Sequence, residues 1–536
     1  MKNSLLLFML FIGLGNFPAI GQISDPFFEH VTYRGAFGNV DWTSGWANWN
    51  PQNSNYPVTT ATISGDIATN TTWTSTNVYL LSGFVYVKSG VTLTIMPGTI
   101  IRGDKTTKGT LIVQKGGKLI AEGTQNNPII FTSNFAPASR DYGDWGGIIL
   151  CGKAQINIPG DTSLIEGGPL AYYGGGANPD NSDNSGSLKY LRIEFAGIPL
   201  QPNQEINGLT FGGVGNGTQI DYIQVSYCGD DSYEWFGGSV NAKHLISFRG
   251  FDDEFDTDNG FSGKIQFFVG LRDPNIADIS GSNGFESDND ASGSTNNPQT
   301  KATFCNASLF GPLATPNTTI NSNFKRAMHI RRNSALNIYN SVFAGWPTGL
   351  YLDGTLTQNN AISGSLNINN SVLAGMITFF KLPSSGTWTS ANEERTWYLN
   401  PIRSNDTLPN NSDMMLNDPF NLTNPNFMPL VNSPLLKGSI WWVDGINTTK
   451  SNIENFNIYP NPASAKVNIE IKNTSSSHLS IKLYDIVGNL IAVIAEENSA
   501  KGNYKSQFDI SNLKSGIYLI NVIVGNESKI NRLVVK

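Results

Sequence analysis

Residues 188–197 read LKYLRIEFAG, and residues 220–229 read IDYIQVSYCG, with apolar and polar positions in nearly the same order. A second pair agrees more closely, since residues 336–345 are LNIYNSVFAG and residues 366–375 are LNINNSVLAG. Segments of this kind have strand length and are bounded by turn residues, and a helical period is almost absent. Such repeats indicate a solenoid in which each coil buries its inward residues on those of the coil below. The predicted fold class is all-β, a right-handed parallel β-helix.

The composition excludes several classes of protein. Charged residues make up 14% of the chain, against roughly 25% in ordinary globular proteins. The net charge of −7 argues against a nucleic-acid partner, because such a protein needs a basic face. Aromatic residues at 11% supply a core and exclude global disorder. Cys151, Cys228 and Cys305 are odd in number and far apart, so we expect three buried small hydrophobic residues rather than disulfides.

The amino terminus resembles a secretory signal peptide over residues 1–21. Lys2 precedes an apolar run that is too short to span a bilayer, and small residues follow it. We expect no transmembrane segment in the mature chain. Residues 22–59 form an aromatic-rich segment, which we expect to cap the first coil, because solenoids need their ends covered. The alternative is that its exposed rings stack on sugars. The rings are those of Trp42, Trp46, Trp49 and Tyr56.

Residues 60–435 resemble the pectate-lyase-like β-helix superfamily, in the form found in secreted proteins of Bacteroidota. The resemblance rests on four motifs. They are GVTLTIMPGT at 90–99, GKLIAEGT at 117–124, PIIFTS at 128–133 and DWGGI at 144–148. The resemblance implies the fold and does not identify a reaction, because one fold supports many functions.

The carboxyl-terminal segment, residues 456–536, alternates apolar and polar positions between turns, which predicts a small antiparallel β-sandwich. Its motifs are FNIYPNPA at 456–463, IKLYDIVGNLI at 481–491 and LKSGIYLINV at 513–522. In order and spacing they resemble the type A C-terminal sorting domain of the type IX secretion system, although Asn489 stands where the family usually has arginine. The resemblance implies that the type IX machinery is a partner, and that the protein is secreted or attached to the outer-membrane surface. Residues 436–455 have a linker composition.

Aligned repeats predict columns of stacked side chains, because equivalent residues of successive coils lie about 4.8 Å apart. An apolar inward column contains Leu209, Tyr233, Phe255, Phe285, Met328 and Leu350. Since side chains alternate along a strand, the next residues point outward. This outward column contains Thr210, Glu234, Asp256, Glu286, His329 and Tyr351. A second outward column contains Gly212, Phe236, Asp258, Asp288, Arg331 and Asp353.

The outward columns predict an unusual concentration of carboxylates. Asp230, Asp231, Asp252 and Asp253 lie at the turn that precedes them. Two like charges 5 Å apart repel by roughly 1–3 kcal/mol at an effective dielectric of 20 to 80, before salt screening. A bound cation, raised pKa values or nearby basic groups would relieve this repulsion.

Calcium is the only cofactor that the sequence suggests. Clusters of carboxylate oxygens suit this hard cation, and Asp252, Asp253, Asp256 and Asp258 are its candidate ligands. The segment DTDNG at 256–260 begins like a calcium loop, but no glutamate follows at the twelfth position, so it is not an EF-hand.

Carbohydrate chemistry is a second interpretation of the same face, because paired carboxylates serve glycoside hydrolases. The candidate catalytic residues are Asp256, Glu286, His329 and Arg331. Arg249 and Lys264 are alternative bases for a lyase. Candidate ligand-binding residues are Glu234, Asp258, Asp288 and Tyr351. No lyase or polygalacturonase active-site motif matches residue by residue. A third interpretation is a solvated acidic face that keeps the solenoid soluble.

The predicted function is that of a secreted or cell-surface β-helix protein that binds polysaccharide or mediates adhesion, with calcium as a candidate cofactor. The first alternative is a polysaccharide lyase or glycoside hydrolase. The second is a structural surface-layer protein.

Overall fold

The computed structural model describes residues 25–167, 170–201, 204–436, 453–473, 477–485, 490–499, 502–524 and 527–536. The predicted signal peptide, 1–21, lies outside the described residues, as does most of the predicted linker, 436–455. The chain divides into two compact units, Met1–Trp442 and Val443–Lys536.

The first unit is a parallel β-helix, which confirms the predicted fold class. One continuous parallel sheet of 26 strands winds through it, and three two-stranded antiparallel hairpins interrupt the winding, namely β10–β11, β13–β14 and β31–β32. The strands of this unit are β1 (Ala61–Ile67), β2 (Thr71–Trp73), β3 (Val78–Val87), β4 (Thr92–Ile95), β5 (Ile100–Gly103), β6 (Thr110–Val113), β7 (Lys118–Glu122), β8 (Ile129–Ser133), β9 (Ile148–Cys151), β10 (Ser163–Leu164), β11 (Tyr172–Tyr173), β12 (Gly186–Glu194), β13 (Pro199–Gln201), β14 (Gln204–Glu205), β15 (Leu209–Val214), β16 (Gln219–Ser226), β17 (Tyr233–Gly238), β18 (Asn241–Phe248), β19 (Phe255–Asp258), β20 (Lys264–Leu271), β21 (Phe285–Ser287), β22 (Thr303–Phe310), β23 (Arg326–Ile330), β24 (Asn337–Tyr339), β25 (Val342–Ala344), β26 (Thr348–Leu352), β27 (Asn367–Asn369), β28 (Val372–Ala374), β29 (Thr378–Phe380), β30 (Asp406–Leu408), β31 (Leu416–Asp418) and β32 (Asn426–Pro429).

Helices are few among the described residues of this unit, and both α-helices lie late in it. The α-helices are α1 (Thr355–Ser363) and α2 (Ala391–Tyr398). Short 3-10 helices span Pro51–Asn53, Pro401–Arg403, Asn411–Met414 and Pro434–Leu436. A capping box at Ser390 and Glu393 starts α2. None of the helices in the described part of the chain has the length and apolar content to cross a bilayer.

The core is the predicted inward column extended over successive coils. Tyr233, Phe255 and Phe285 have no exposed surface, and the rings of Tyr233 and Phe255 stack with centroids 5.3 Å apart. Polar positions inside the coils pair with one another, as Thr257 and Ser287 do at 2.7 Å between their hydroxyl oxygens. This pairing satisfies two hydroxyl groups that would otherwise be buried at a cost.

A bend recurs at one position of successive coils from β12 onward, where the residue adopts a left-handed conformation. Tyr190, Tyr222, His244 and Phe267 have φ angles of 47°, 55°, 51° and 58°. Their rings stack along the solenoid with successive centroid separations of 4.4, 4.2 and 5.2 Å. In later coils asparagines such as Asn340 take this position, because asparagine tolerates the left-handed region better than most residues.

The amino-terminal segment covers the flank of these coils, so the expectation that it caps the first coil is wrong. Trp46 is fully buried, and its ring meets the edges of Tyr190 and Tyr222 at 5.8 Å. Further along the solenoid, the Gly35 N–H donates to the Asn340 carbonyl at 2.7 Å. The rings at the stacked bends form an apolar surface on the flank, and the amino-terminal segment buries it. Its tryptophans therefore do not form an exposed sugar platform.

The three cysteines, Cys151, Cys228 and Cys305, are buried and unpaired, as the sequence predicts. Burial raises the pKa of the Cys151 thiol to about 12, which keeps it protonated and unreactive.

The second unit consists of two antiparallel sheets around its own core, as predicted for residues 456–536. The order of strands is β33-β34-β37 in one sheet and β36-β35-β38-β39 in the other. The strands are β33 (Ile453–Tyr459), β34 (Lys466–Asn473), β35 (Ser477–Asp485), β36 (Leu490–Ser499), β37 (Gly502–Asp509), β38 (Gly516–Val524) and β39 (Glu527–Val535). Val467, Ile481 and Val522 are fully buried between the sheets. Asn489 lies outside the described residues.

Candidate functional site: a carboxylate ladder on the β-helix

The predicted outward column is confirmed at every rung by the pairing of parallel strands. Thr210 pairs with Glu234, Glu234 with Asp256, and Asp256 with Glu286. The column continues through His329 to Tyr351. The coils differ in length by insertions in the turns, and the register survives because each strand is fixed by its apolar inward residues.

A further column of polar residues, the turn column, lies at the turn before these strands. The Asp253 N–H donates to Asp231 Oδ1 at 2.8 Å, and the Asn283 N–H donates to Asp253 Oδ1. Asn207 and Asn283 flank the two aspartates, and sequence analysis did not single them out. The available signal was the Asn-Gly dipeptide that directly precedes β15 and β21.

The outward column that contains Asp256 and the turn column together bring carboxylates into three groups. Within each group, one oxygen per residue can be chosen so that all three lie within 4.8 Å of one another. The groups are Asp230, Asp231 and Asp252; Asp231, Glu234 and Asp256; and Asp253, Asp256 and Glu286.

The predicted calcium quartet does not form one ligand set in the described part of the chain. Asp253 and Asp256 share a group, whereas Asp252 belongs to another and Asp258 to none. The reason is the strand geometry, since Asp256 and Asp258 are two residues apart and hence separated by about 6.6 Å along β19. Asp258 Oδ1 instead accepts the N–H of Asn259 at 2.6 Å.

Burial sets the electrostatics of the ladder. It raises the pKa of Asp256 well above its usual range, and the charge of Glu286 adds to the effect. Burial and then Glu286 likewise raise the pKa of Asp253 to about 8. The pKa of Asp258 rises to about 7 through burial and then Asp288. Glu234 follows the same pattern, with burial first and the charges of Glu166 and Asp256 after it.

The interpretation of a solvated acidic face does not fit Glu234 and Asp288, which are buried. Only 8% of Glu234 and 5% of Asp288 is exposed. The hairpin β10–β11 covers the start of the ladder, where Tyr173 packs against Phe236 with ring centroids 6.0 Å apart. A side chain at Gly212 would collide with Tyr173. The hairpin thus covers Glu234, whereas Asp256 and Glu286 further along the ladder stay partly exposed.

Basic side chains lie at the far end of the ladder. His329 Nδ1 lies 3.1 Å from Glu286 Oε2, and its Nε2 lies 3.4 Å from Asp353 Oδ2. Arg331 pairs with Glu286 and donates from Nε to Asp288 Oδ1 at 2.8 Å. Burial favours a raised pKa for Glu286, but the hydrogen bond of His329 and the charge of Arg331 outweigh burial and lower it.

Tyr351 closes the ladder. Its ring stacks on His329 at 5.2 Å, and the guanidinium of Arg326 and the ammonium of Lys381 lie 4.8 and 5.0 Å from its centroid. Only 8% of Tyr351 is exposed, so its ring offers a sugar little surface.

An open cavity of about 390 Å³ adjoins this basic end. Arg331, Arg332 and Asp353 line it together with the hydroxyl-bearing Ser292 and Thr355. The Arg332 side chain is 43% exposed while its Nη1 holds Asp288 Oδ2 at 2.7 Å. The cavity therefore presents charge and hydroxyl groups to solvent.

The two alternative lyase bases lie elsewhere. Arg249 follows β18 and pairs with Asp273 at 3.0 Å, and Lys264 begins β20 and pairs with Asp25. Strand β18 pairs with β20, whereas Asp256 lies on β19, which pairs with β17 and β21. The two lysine and arginine candidates therefore belong to a different row of stacked strands from Asp256. Neither side chain is placed to act on the same ligand as Asp256.

Comparison with known proteins gives matches over both units. Residues 65–405 match the family described as the pectate-lyase like beta helix domain. Residues 457–536 match the secretion system C-terminal sorting domain. No curated protein matches the chain. A solved structure with some similarity is the crystal structure of the enzymatically active domain of bacteriophage CBA120 tailspike protein 4, with 9% identity and a TM-score of 0.24. The similarity covers 86% of this chain and 62% of the tailspike chain.

Proposed function

This chain belongs to the pectate-lyase-like β-helix family and ends in a type IX secretion sorting domain, and from that premise we propose that it binds an extracellular polysaccharide through calcium held by the carboxylate ladder. The sorting domain makes it a secreted or cell-surface protein, handled by the type IX machinery.

The observation that carries the proposal is the position of Asp256. It lies between Glu234 and Glu286 in consecutive rungs, and its Oδ1 is buried without a hydrogen-bond partner. A buried carboxylate oxygen is costly when nothing donates to it. A divalent cation at this point would satisfy the oxygen and cancel the repulsion between rungs.

Calcium fits this donor set best among common cations. All the candidate ligands within the three groups are carboxylates, and calcium takes six to eight oxygen ligands in flexible geometry. Magnesium needs a near-ideal octahedron and keeps its waters, so a crowded row of carboxylates suits it less.

The shape of the site suits a polymer. The ladder runs along the solenoid and ends at the cavity lined by Arg331, Arg332 and hydroxyl groups. A cation that is only partly coordinated by protein can accept oxygens of a sugar, while the arginines bind carboxylate or hydroxyl groups of the next sugar.

The test is retention of the purified protein on immobilised polysaccharides, with calcium and with chelator. We expect retention on at least one polymer with calcium, and its loss with chelator or in Asp256→Asn. Asp278→Asn is a matched control, because Asp278 belongs to none of the three groups. Retention that is equal in chelator, or unchanged in Asp256→Asn, would contradict the proposal.

A second candidate function is catalysis, which one specific observation favours. The pKa of Asp256 is raised and that of Glu286 lowered, although the two residues are opposite each other on neighbouring strands. A protonated acid beside an ionised carboxylate is the division of roles that glycoside hydrolases use, and about 5 Å between them suits a retaining enzyme.

Catalysis is tested on the same polymers by new reducing ends and by absorbance of unsaturated uronates. Product that disappears in both Asp256→Asn and Glu286→Gln would support an enzyme. Retention without product would leave binding. Neither retention nor product on any polymer would favour a structural surface-layer role.

A further inference from the structure

Two of the carboxylate groups are the same arrangement displaced by one coil. Asp231, Glu234 and Asp256 form the first, and Asp253, Asp256 and Glu286 form the second. Each contains a turn carboxylate, the strand carboxylate three residues later, and the strand carboxylate of the next coil. Asp256 is the only residue that belongs to both.

The backbone repeats the arrangement as well. Asp231 Oδ1 accepts the N–H of Asp253, and Asp253 Oδ1 accepts the N–H of Asn283, so both turn carboxylates are fixed in the same way. One coil separates the two groups, which corresponds to about 4.8 Å along the solenoid.

Buried oxygens without donors mark the same place. Asn207 and Asn283 are 2% and 1% exposed, and the Oδ1 atom of each has no hydrogen-bond partner. Their amide nitrogens donate to the ladder, Asn207 to Glu234 Oε2 and Asn283 to Glu286 Oε2 at 3.3 Å. Both amide groups therefore lie beside the carboxylates of the ladder. Asp256 Oδ1 is a third such oxygen, between the two amides.

We propose that the ladder holds two divalent cations, one coil apart, with Asp256 as the carboxylate that bridges them. The first cation lies among Asp231, Glu234 and Asp256, and the second among Asp253, Asp256 and Glu286. The amide oxygens of Asn207 and Asn283 are additional neutral ligands at the two ends. This inference rests on the cation of the proposed function and adds the number of cations and the bridge.

The group of Asp230, Asp231 and Asp252 is different in form, because it contains no strand carboxylate. A third cation there would share Asp231 with the first group. It would be lost in Asp230→Asn, and that substitution would leave the cations at Asp256 in place.

The test is calcium stoichiometry by calorimetric titration at about pH 8, repeated with terbium luminescence. We expect Glu234→Gln and Glu286→Gln each to lose one equivalent relative to the natural protein, and Asp256→Asn to lose two. Asp253→Asn is a second variant for the Glu286 site, because it leaves the contact of Glu286 with His329 intact. Asp258→Asn is the matched control on the same strand, and we expect it to keep every equivalent.

Several outcomes would overturn the inference. They are a natural protein that binds fewer than two equivalents, an Asp256→Asn variant that loses only one, or single variants of Glu234 and Glu286 that both lose two. Circular dichroism in chelator shows whether each variant is folded, so that loss of fold is not counted as loss of a ligand.

The proposed function can fail separately. Two equivalents of calcium with no retention on any polysaccharide would reject polysaccharide binding and keep the bridged pair. Calcium-dependent retention with only one bound equivalent of calcium would keep polysaccharide binding and reject the bridged pair.

Discussion

Asp256 lies directly opposite Glu286 in the parallel pairing of β19 with β21, and the pKa values of the two carboxyl groups are displaced in opposite directions. Glu286 receives a hydrogen bond from His329 and the charge of Arg331, which outweigh its burial. Asp256 has an oxygen without a donor, so burial and the charge of Glu286 dominate. Neighbouring rungs of one ladder thus have different protonation preferences.

The stability of the chelated protein should fall as the pH rises. A carboxyl group whose pKa is higher in the folded state stabilises the fold below its unfolded pKa, and that stability is lost as the pH rises through the folded pKa. The window runs from about pH 4 through the values of about 7 for Asp258 and about 8 for Asp253. Thermal unfolding in chelator should give a lower Tm at pH 8 than at pH 5. Calcium should remove most of this difference, and an equal Tm at both pH values would count against buried, repelling carboxylates.

Asp256→Asn should have opposite effects with and without calcium. In chelator at pH 8 the amide replaces a carboxyl group whose ionised form is disfavoured by burial and by the charge of Glu286, and a gain of about 1 kcal/mol would raise Tm by roughly 2 °C in a domain of this size. Addition of calcium should raise the Tm of the variant less than that of the natural protein, because the variant lacks one carboxylate ligand for calcium. Differential scanning calorimetry of both forms tests this. A variant that is destabilised in chelator would show that Asp256 makes favourable contacts without a cation.

His329→Ala should destabilise the β-helix by about 1.5–3 kcal/mol near pH 7, because a hydrogen bond to an ionised carboxylate is lost. Glu286 has a lowered pKa, so its share of stability is present above about pH 4.5 and is lost as the pH falls through the lower folded value. Urea unfolding should therefore show that His329→Ala lowers the free energy of unfolding strongly at pH 7 and only slightly below pH 4. His329→Gln keeps a donor and should cost less. Equal losses at both pH values would indicate packing against Tyr351 instead of charge.

Trp46→Ala tests the position of the amino-terminal segment. The ring is fully buried against the stacked bends, so its removal should cost about 3–5 kcal/mol. Tyr172→Ala is the control, because Tyr172 is 57% exposed and its removal should change stability by about 0.5 kcal/mol at most. Urea unfolding of both variants gives the comparison. A loss below about 1 kcal/mol for Trp46→Ala would mean that the segment does not pack on the flank in solution.

Removal of residues 457–536 should abolish export and leave the β-helix folded. The sorting domain has its own core, and the chain divides into two units near residue 443. Secretion from the natural host, followed by immunoblotting of cells and medium, tests the export. Unchanged secretion would show that another segment carries the signal.

The register of the ladder could be predicted from sequence because it depends on local pattern. Apolar residues such as Phe255 and Phe285 fix which side chains face inward, and their neighbours Asp256 and Glu286 must then face outward in the same column. The coils differ in length, but the extra residues fall in turns, so alignment of the strands alone was sufficient. The sorting domain was similarly visible, because its motifs lie in continuous stretches.

Burial of the ladder, the asparagine oxygens and the course of the amino-terminal segment were decided by tertiary structure alone. A hairpin between Ser163 and Tyr173 lies over rungs that are distant in sequence, and no periodicity specifies where such an insertion packs. The amides of Asn207 and Asn283 belong to the site only because turns of different coils stack beside one another. The sequence by itself determined the columns, because neighbouring residues on a strand alternate. The structure decided how deeply each rung is buried, because long-range packing sets the local dielectric and hence the pKa values of Asp256 and its neighbours.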